Sequence, residues 1–242
     1  IKWGVQEGSF CHMTELFGPV LSVMRADNLK HAVELVNKTG YGLTSGIESL
    51  DEREINYWKK NIKAGNLYIN RGTTGAIVLR QPFGGIGKSA IGSGRKAGVH
   101  NYITQFMNIG ETGISNISEA RTGKYTKILN SWLSSSKHQE FFEDLNKLKS
   151  AYESYLFNFD SEFSVDHDYF KIRGEDNIFK YMGLNKIAIR VSQNDSLFEV
   201  FSRILAARVC DVKIYLSVDA NMNNEVSKFI YLNASKLLTT ND

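Results

Sequence analysis

Residues 70–87, NRGTTGAIVLRQPFGGIG, contain the residue types best suited to bind a small molecule. A polar turn with two glycines and two threonines leads into an apolar run, and the segment closes on QPFGG and a final glycine. Glycine lets a ligand approach backbone N–H groups closely, and successive N–H groups in a turn can form a concave anion site. Phe83 supplies an apolar wall, and Pro82 fixes the turn that presents it. The loop therefore predicts a ligand that has both a carboxylate and an alkyl portion.

A second short motif, ELFGPV at residues 15–20, combines a carboxylate, an aromatic ring and a rigid Gly-Pro pair. Glu15 could accept hydrogen bonds from a ribose while the ring of Phe17 packs on a flat heterocycle. The same residues are also compatible with a turn that enters a strand and leaves Glu15 in solvent. The residue types alone leave both interpretations open.

Other motifs exclude several classes of site. The G-x-G-x-x-A patterns at residues 85–90 and 92–97 do not directly follow a predicted strand, so neither is a dinucleotide fingerprint. Residues 87–89, GKS, resemble the end of a phosphate loop, but Pro82 stands where its first glycine is required. The five histidines lack ligand spacing, and the two cysteines indicate neither a disulfide framework nor a metal site. We therefore assign no catalytic residue and no metal ligand to this chain.

Composition divides the 242 residues into two unlike parts. Seventeen of the 20 glycines lie at or before Gly113, and so do both prolines. A net charge of +3 with scattered lysines argues against nucleic acid, and no apolar run has membrane-spanning length. The chain starts with Ile1 in the middle of a pattern, so we expect a fragment of a longer protein. Two thiols fit a reducing compartment, and we expect a cytoplasmic location.

Periodicity and capping signals predict an α/β fold with a parallel sheet. Strands are expected at residues 18–25, 43–49, 66–70, 186–192 and 211–217, and helices at 28–38, 51–61, 137–156, 196–210 and 223–238. Asp27 is expected to cap the first helix, and Ser196 with Glu199 forms a capping box. The apolar stripe of helix 137–156 is interpreted as a core face. Residues 186–238 form a Rossmann-like β-α-β-α pattern without the glycine-rich turn that a pyrophosphate needs.

Four motifs together resemble the C-terminal part of the aldehyde dehydrogenase superfamily. They are ELFGPV at 15–20, NKTGYGL at 37–43, GNLYIN at 65–70 and RQPFGG at 80–85, and they occur in the family's order. The version RGTTGAIVLRQPFGG is most similar to glutamate-γ-semialdehyde (1-pyrroline-5-carboxylate) dehydrogenases, especially the dehydrogenase module of bifunctional proline utilization A proteins. The resemblance implies an NAD-dependent oxidoreductase that converts the semialdehyde to glutamate in proline catabolism.

The resemblance also implies roles for residues on the cofactor side. Glu15 would contact the nicotinamide ribose, and Phe17 would pack near the nicotinamide. In the family, the nucleophilic cysteine lies upstream of ELFGPV in a glycine-flanked motif, and the general-base glutamate and the cofactor-binding domain also lie upstream. This chain contains none of the three. Cys11 lacks such a motif and is not assigned the nucleophile's role. The isolated chain is therefore expected to be inactive.

On the substrate side, the resemblance implies an aldehyde anchor loop. Gly75 and Ala76 would donate backbone N–H groups to the substrate's α-carboxylate, and Thr74 would flank them. Phe83 would pack on the aliphatic part of the substrate. The partner implied is a small molecule, glutamate γ-semialdehyde, which agrees with the carboxylate and alkyl portion expected from the loop itself.

The resemblance implies two domains. Residues 1–113 would be the C-terminal part of the aldehyde dehydrogenase catalytic domain. Residues 114–242 would be a C-terminal extension with a degenerate aldehyde-dehydrogenase-like Rossmann unit of structural role. The parent protein is expected to be a homo-oligomer, with FAD in an upstream proline dehydrogenase domain if one exists. The alternatives are a dehydrogenase for another carboxylated semialdehyde and a non-catalytic assembly module.

Overall fold

The chain folds into two compact units of mixed helix and strand, which confirms the predicted α/β class. The computed structural model describes residues 1–74, 80–91, 95–98, 102–108, 110 and 121–238. The first unit contains Ile1–Asn108 and Asp168–Asn177, and the second contains Ile109–His167 and Ile178–Asp242. A short segment from the later half of the sequence therefore lies with the first unit. Within the described ranges, no helix combines the length and apolar character needed to cross a membrane.

The first unit is built from short strands and three α-helices among its described residues, with a 3₁₀ turn at Ile103–Phe106. Its elements are β1 (Lys2–Trp3), α1 (Phe10–Met13), β2 (Ser22–Val23), α2 (Leu29–Lys38), β3 (Tyr41–Gly42), β4 (Thr44–Ile47), α3 (Glu52–Asn61), β5 (Asn66–Ile69) and β6 (Ile86–Gly87). Strand β1 pairs with β2 and β4 pairs with β5, both in parallel, whereas β3 pairs with β6 antiparallel.

The β4-α3-β5 segment is the parallel crossover that the sequence predicts. Because parallel neighbours cannot be joined by a tight hairpin, α3 carries the chain back to the start of the sheet. Asp51 begins this helix by accepting a hydrogen bond from the backbone N–H of Arg53 at 2.8 Å. On its inner face Trp58, 3% exposed, packs with Val33 of α2. This small core positions β5, from which the glycine-rich loop leaves.

Two local predictions for the first unit are wrong. Helix α2 is capped by Asn28, whose Oδ1 accepts from the N–H of His31 at 2.9 Å, while Asp27 pairs with the His31 ring instead. The strand expected at 18–25 is reduced to Ser22–Val23, because only the two residues of β1 pair with it. Ahead of it Val20 and Leu21 are more than half exposed, so no packing stabilises a longer strand.

The second unit has longer helices around a two-stranded sheet. Its elements are α4 (Thr126–Leu133), α5 (Phe142–Asn158), β7 (Lys186–Val191), α6 (Leu197–Val209), β8 (Lys213–Val218) and α7 (Glu225–Asn233). Strands β7 and β8 are parallel over their full length, as predicted. The helix expected at 137–156 starts as a 3₁₀ turn at Ser136–Phe141 before α5 begins. Helix α4 was not predicted.

Helix α6 is the centre of the second unit's core. It lies between the β7–β8 pair and α5, and its side chains Phe201, Ile204 and Leu205 are fully buried. The Trp132 ring of α4 meets Phe201 edge to face, with centroids 5.4 Å apart. Edge-to-face pairs add about 0.5–1.5 kcal/mol beyond the area that they bury. The apolar stripe of α5, which contributes the fully buried Leu148, is therefore a core face, as interpreted from the sequence.

The capping box that begins α6 gives the first testable prediction. Ser196 Oγ accepts from the N–H of Glu199 at 3.1 Å, and Glu199 Oε2 accepts from the N–H of Ser196 at 2.8 Å. Ser196→Ala removes one of these bonds at the central helix, so we expect the free energy of unfolding to fall by about 1 kcal/mol. Urea unfolding followed by circular dichroism measures this change. Ser136→Ala, at an exposed serine, is the control; equal effects of the two changes would contradict the prediction.

Candidate functional site

The chain leaves β5 through a sharply defined turn. Asn70, directly after the strand, has a φ of 54°, a left-handed conformation that asparagine tolerates better than most residues. Its side-chain amide accepts from the N–H of Ser49 and donates to the carbonyl of the same residue, both at 2.9 Å. These two bonds fix the direction in which the glycine-rich loop departs from the sheet.

Tyr68 contacts residues at both ends of the loop. It is 2% exposed, and its hydroxyl accepts a hydrogen bond from Gln81 Nε2 at 3.0 Å. The guanidinium of Arg71 lies over the same ring, 5.6 Å from its centroid. One buried side chain of β5 therefore contacts residues both before and after the loop.

The carboxylate of Glu175 also contacts residues at both ends of the loop. Glu175 Oε2 lies 3.3 Å from Arg71 Nη1, and Glu175 Oε1 lies 3.1 Å from Arg80 Nη1. The side chains are about 27–42% exposed, so each pair alone is of the partly screened kind that contributes little. Because both arginines share one carboxylate, however, the pairs together hold the loop's ends near each other.

The QPFGG turn that closes the loop packs directly on the backbone before β5. A Cβ atom at Gly65 would lie 1.9 Å from the carbonyl oxygen of Gly84, so this approach requires glycine. Asn66, only 5% exposed, donates from Nδ2 to the carbonyls of Leu43 at 3.1 Å and Gly84 at 3.0 Å. Close packing and a buried amide thus hold the turn against the strand.

Phe83 is fixed through its backbone. Its N–H and carbonyl form an antiparallel bridge with Ala97, with both N···O distances 2.9 Å. The neighbouring Lys96 donates from Nζ to the carbonyls of Gly65 and Gly84, the latter at 3.3 Å. Burial lowers the pKa of Lys96 from its ordinary value. The backbone at the half-buried Phe83 is therefore fixed by the bridge to Ala97 and by the hydrogen bond from Lys96 to the next residue, Gly84.

The predicted substrate residues lie on this one framed segment. Thr74 is exposed after the departure turn, and Phe83 lies in the closing turn. Gly75 and Ala76 fall outside the described residues, so their predicted backbone contacts stay predictions. A loop with both ends fixed and an aromatic residue in its closing turn suits a small ligand that must be held in one orientation.

The predicted cofactor residues lie on a separate turn after α1. The N–H of Gly18 donates to the carbonyl of Leu16 at 2.9 Å, and the N–H of Val20 donates to that of Gly18 at 2.8 Å. This tight turn leaves Phe17 95% exposed and Glu15 exposed as well. Nearly all of the Phe17 side chain is therefore accessible to a planar ligand. Because it is exposed, it does not pack against the loop after β5.

Other features of the first unit do not coincide with these residues. An open groove of about 340 Å³ lies against α2 and includes Cys11, His12 and Leu35, but it contains none of the predicted site residues. His12 is held in place there through a 2.9 Å contact between Nε2 and the carbonyl oxygen of Leu35. Over the residues that the structure describes, no group of three or more His, Cys, Asp or Glu side chains is placed to hold a metal ion.

Sequence reasoning missed the residues that frame the loop. The sequence analysis assigns no role to Arg71, Arg80 or Lys96, although Arg71 and Arg80 flank the glycine-rich segment and this symmetry is compatible with a shared anion. For Glu175 the sequence offers no signal, because it is about a hundred residues away in the chain.

Comparison with known proteins agrees with the geometry. Residues 1–111 match the model of the aldehyde dehydrogenase family, which confirms the resemblance found in the motifs. Bifunctional protein PutA of Rhizobium meliloti is 52% identical over 95 residues, which cover 38% of this chain and 8% of PutA. A 1-pyrroline-5-carboxylate dehydrogenase of Bacillus subtilis (strain 168) is 40% identical over 103 residues, which cover 43% of this chain and 20% of that enzyme.

A solved structure extends the similarity over both units. Proline Utilization A (PutA) from Corynebacterium freiburgense matches 96% of this chain with a TM-score of 0.71 and 32% sequence identity. The match covers 24% of the PutA chain. The chain thus spans about a quarter or less of the length of these three relatives.

The shared carboxylate of Glu175 gives the second prediction. Glu175→Gln keeps the size of the side chain and removes both ion pairs. We expect the local opening free energy at the loop's ends to fall by roughly 0.5–2 kcal/mol, twice the value of one exposed pair. Amide hydrogen exchange at residues 70–71 and 80–81 should become faster, and the difference should shrink at high salt. Glu48→Gln, at an exposed glutamate next to β4, is the control; unchanged exchange in Glu175→Gln would show that the pairs do not hold the loop.

Proposed function

We propose that the chain is part of an NAD-dependent L-glutamate γ-semialdehyde dehydrogenase, on the basis of the match of residues 1–111 to the aldehyde dehydrogenase family. The observation that carries the proposal is the loop after β5, where Thr74 lies between ends held by Tyr68 and Glu175 and Phe83 follows in the closing turn. The relatives named 1-pyrroline-5-carboxylate dehydrogenase and bifunctional protein PutA support the same substrate class. The parent enzyme would oxidise the semialdehyde to glutamate in proline catabolism.

The loop binds the substrate in this proposal. Backbone N–H groups of Gly75 and Ala76 donate to the α-carboxylate, with Thr74 beside them. Phe83 covers the methylene groups between the carboxylate and the aldehyde. Because the ring stands on a backbone bridged to Ala97, it presents the same surface to each substrate molecule. The substrate is thereby oriented before it reacts, which lowers the entropic part of the barrier.

The turn after α1 contacts the cofactor in this proposal. The Phe17 ring, almost completely exposed on a tight turn, fits one face of a nicotinamide, and the exposed Glu15 carboxylate can accept from ribose hydroxyls. When bound, NAD accepts the hydride that leaves the substrate. The rest of the cofactor would bind to the upstream part of the parent protein, as would FAD if a proline dehydrogenase domain is present.

The chain itself supplies no nucleophile in this proposal. Both Cys11 and Cys210 are free thiols, and neither lies in a glycine-flanked motif. Residues 114–242 have a structural role in the parent, covering a cavity or forming the interface of a homo-oligomer. The extended similarity to a PutA structure supports their assignment as a C-terminal extension.

A substrate panel on the full-length parent protein tests the proposed function. With NAD, we expect kcat/KM for glutamate γ-semialdehyde to exceed that for an uncharged aldehyde of equal length by about a hundredfold or more, because a charged hydrogen-bonded group contributes on the order of 3 kcal/mol. A preference for another carboxylated semialdehyde would reassign the substrate. Absence of oxidation with every aldehyde would favour an assembly module. The isolated chain should show no turnover in the same assay.

The role of Phe83 gives a more local prediction. Phe83→Ala removes the apolar wall, so binding should weaken by roughly 1–3 kcal/mol. In the parent enzyme this appears as a fall of about 5- to 150-fold in kcat/KM for the semialdehyde, with the KM for NAD nearly unchanged. Phe83→Leu should retain much of the activity, and Phe10→Ala, at an exposed phenylalanine of α1, is the matched control. Equal losses toward both ligands would point to general disorder of the loop.

A further inference from the structure

Lys96 is the one cation of the loop framework whose described partners are both backbone carbonyls. Its Nζ donates to the oxygens of Gly65 and Gly84, while its backbone neighbour Ala97 forms the bridge to Phe83. Hydrogen bonds from a charged donor are stronger than those between neutral groups. The half-buried ammonium thus joins three backbone segments: the start of β5, the closing turn and its own.

The backbones approach closely at these two glycines. A Cβ at Gly65 would lie 1.9 Å from the Gly84 oxygen, and a Cβ at Gly84 would lie 3.1 Å from Cα of Lys96. Such crowding brings carbonyl dipoles together, and dipoles in close contact need donors to compensate them. Asn66 donates one hydrogen bond to Gly84, and Lys96 donates to both oxygens.

We propose that Lys96 is a positioning residue for the substrate site, because its ammonium fixes the closing turn against β5 and so sets where Phe83 places its ring. The proposal rests on the proposed function for the identity of the substrate, but not for the geometry. The position of the ring determines the room left for methylene groups. Lys96 therefore governs which chain length of carboxylated aldehyde is accepted, without touching the substrate itself.

The two carbonyls require a hydrogen-bond donor at this position. Burial lowers the pKa of Lys96, and the side chain donates to both carbonyls through its N–H groups. A methionine has a similar shape without a donor, so Lys96→Met leaves the carbonyls uncompensated. An arginine keeps the charge and has several N–H groups.

The chain offers a matched control in the same segment. Lys88 Nζ also donates to a backbone carbonyl, that of Thr39 at 2.9 Å, and lies over the Tyr41 ring. Lys88 is exposed, and its contacts are with residues 39–41 rather than with the closing turn. Lys88→Met therefore removes an equivalent charge and hydrogen bond without releasing Phe83.

Kinetics of the parent enzyme form one arm of the test. We expect Lys96→Met to raise the KM for glutamate γ-semialdehyde about tenfold, the effect of losing a hydrogen bond from a charged donor, with the KM for NAD unchanged. Selectivity against a semialdehyde one methylene longer should decrease. Lys96→Arg should stay within about threefold of the unsubstituted enzyme, because it keeps a charged donor. An unchanged KM and selectivity in Lys96→Met, or equal losses in Lys88→Met, would overturn the proposal.

Hydrogen exchange in the chain itself forms the second arm and does not depend on activity. Lys96→Met should make the amides of Phe83 and Ala97, which form the bridge, exchange at least about fivefold faster, and Lys88→Met should not. If the parent oxidises no semialdehyde, the proposed function is wrong. Hydrogen exchange at Phe83 and Ala97 then still tests whether Lys96 fixes the closing turn. If Lys96→Met does not fold, Lys96→Arg decides: slow exchange at both amides supports the proposal, and fast exchange overturns it.

Discussion

The close approach of two backbones at Gly65 and Gly84 is the constraint on which the rest of the candidate site depends. The separation of 1.9 Å between a notional Cβ at Gly65 and the Gly84 oxygen means that any side chain there would displace the closing turn. Such an approach brings carbonyl oxygens close together in a partly buried place, where they need hydrogen-bond donors. The buried amide of Asn66 and the ammonium of Lys96 supply them. The close approach that requires glycine at position 65 therefore also requires two hydrogen-bond donors, Asn66 and Lys96.

The same logic extends to the loop's ends. A loop that binds a small carboxylate through backbone N–H groups loses conformational freedom when the ligand binds, and this loss reduces affinity. Tyr68 and Glu175 each contact the residues before and after the loop, so part of that order exists before any ligand arrives. Each ion pair is weak because it is partly exposed. Together the two pairs hold Arg71 and Arg80, at opposite ends of the loop, near one carboxylate. Held ends would lower the conformational entropy that a bound ligand has to remove.

Much of the fold can be predicted from the sequence, because it depends on local patterns. Helices α2, α3 and α6 follow from apolar periodicity, the last two also from their predicted caps, and the parallel β7–β8 pair follows from strand-helix-strand spacing. Errors arise where tertiary contacts decide. The strand expected at residues 18–25 needs partners that only two residues of β1 supply, and α4 has neither a capping side chain nor a long apolar stripe. In the site, Phe83 could be found from its motif, whereas Glu175 could not, since no local pattern reports a contact made across a hundred residues.

The second unit has a Rossmann-like pattern whose first helix, α6, contributes many of the buried core residues. In a dinucleotide site, free N–H groups at the first helix turn bind the pyrophosphate, which a glycine-rich turn lets approach. At α6 these donors are already used: the N–H of Phe198 donates to Asp144 at 3.1 Å, and that of Glu199 donates to Ser196. The preceding turn is closed by Asp195, whose pKa is lowered chiefly by a 2.7 Å hydrogen bond from the N–H of Ser192. This carboxylate places a negative charge where a phosphate would have to lie. Because the partly buried carboxylate of Asp144 from α5 and the helix's own cap accept from these N-terminal N–H groups, the stability of α6 depends on the same groups that a pyrophosphate would need. Restoring a cofactor site would therefore require more than a glycine in the turn: the α5–α6 contact through Asp144 would have to be given up as well.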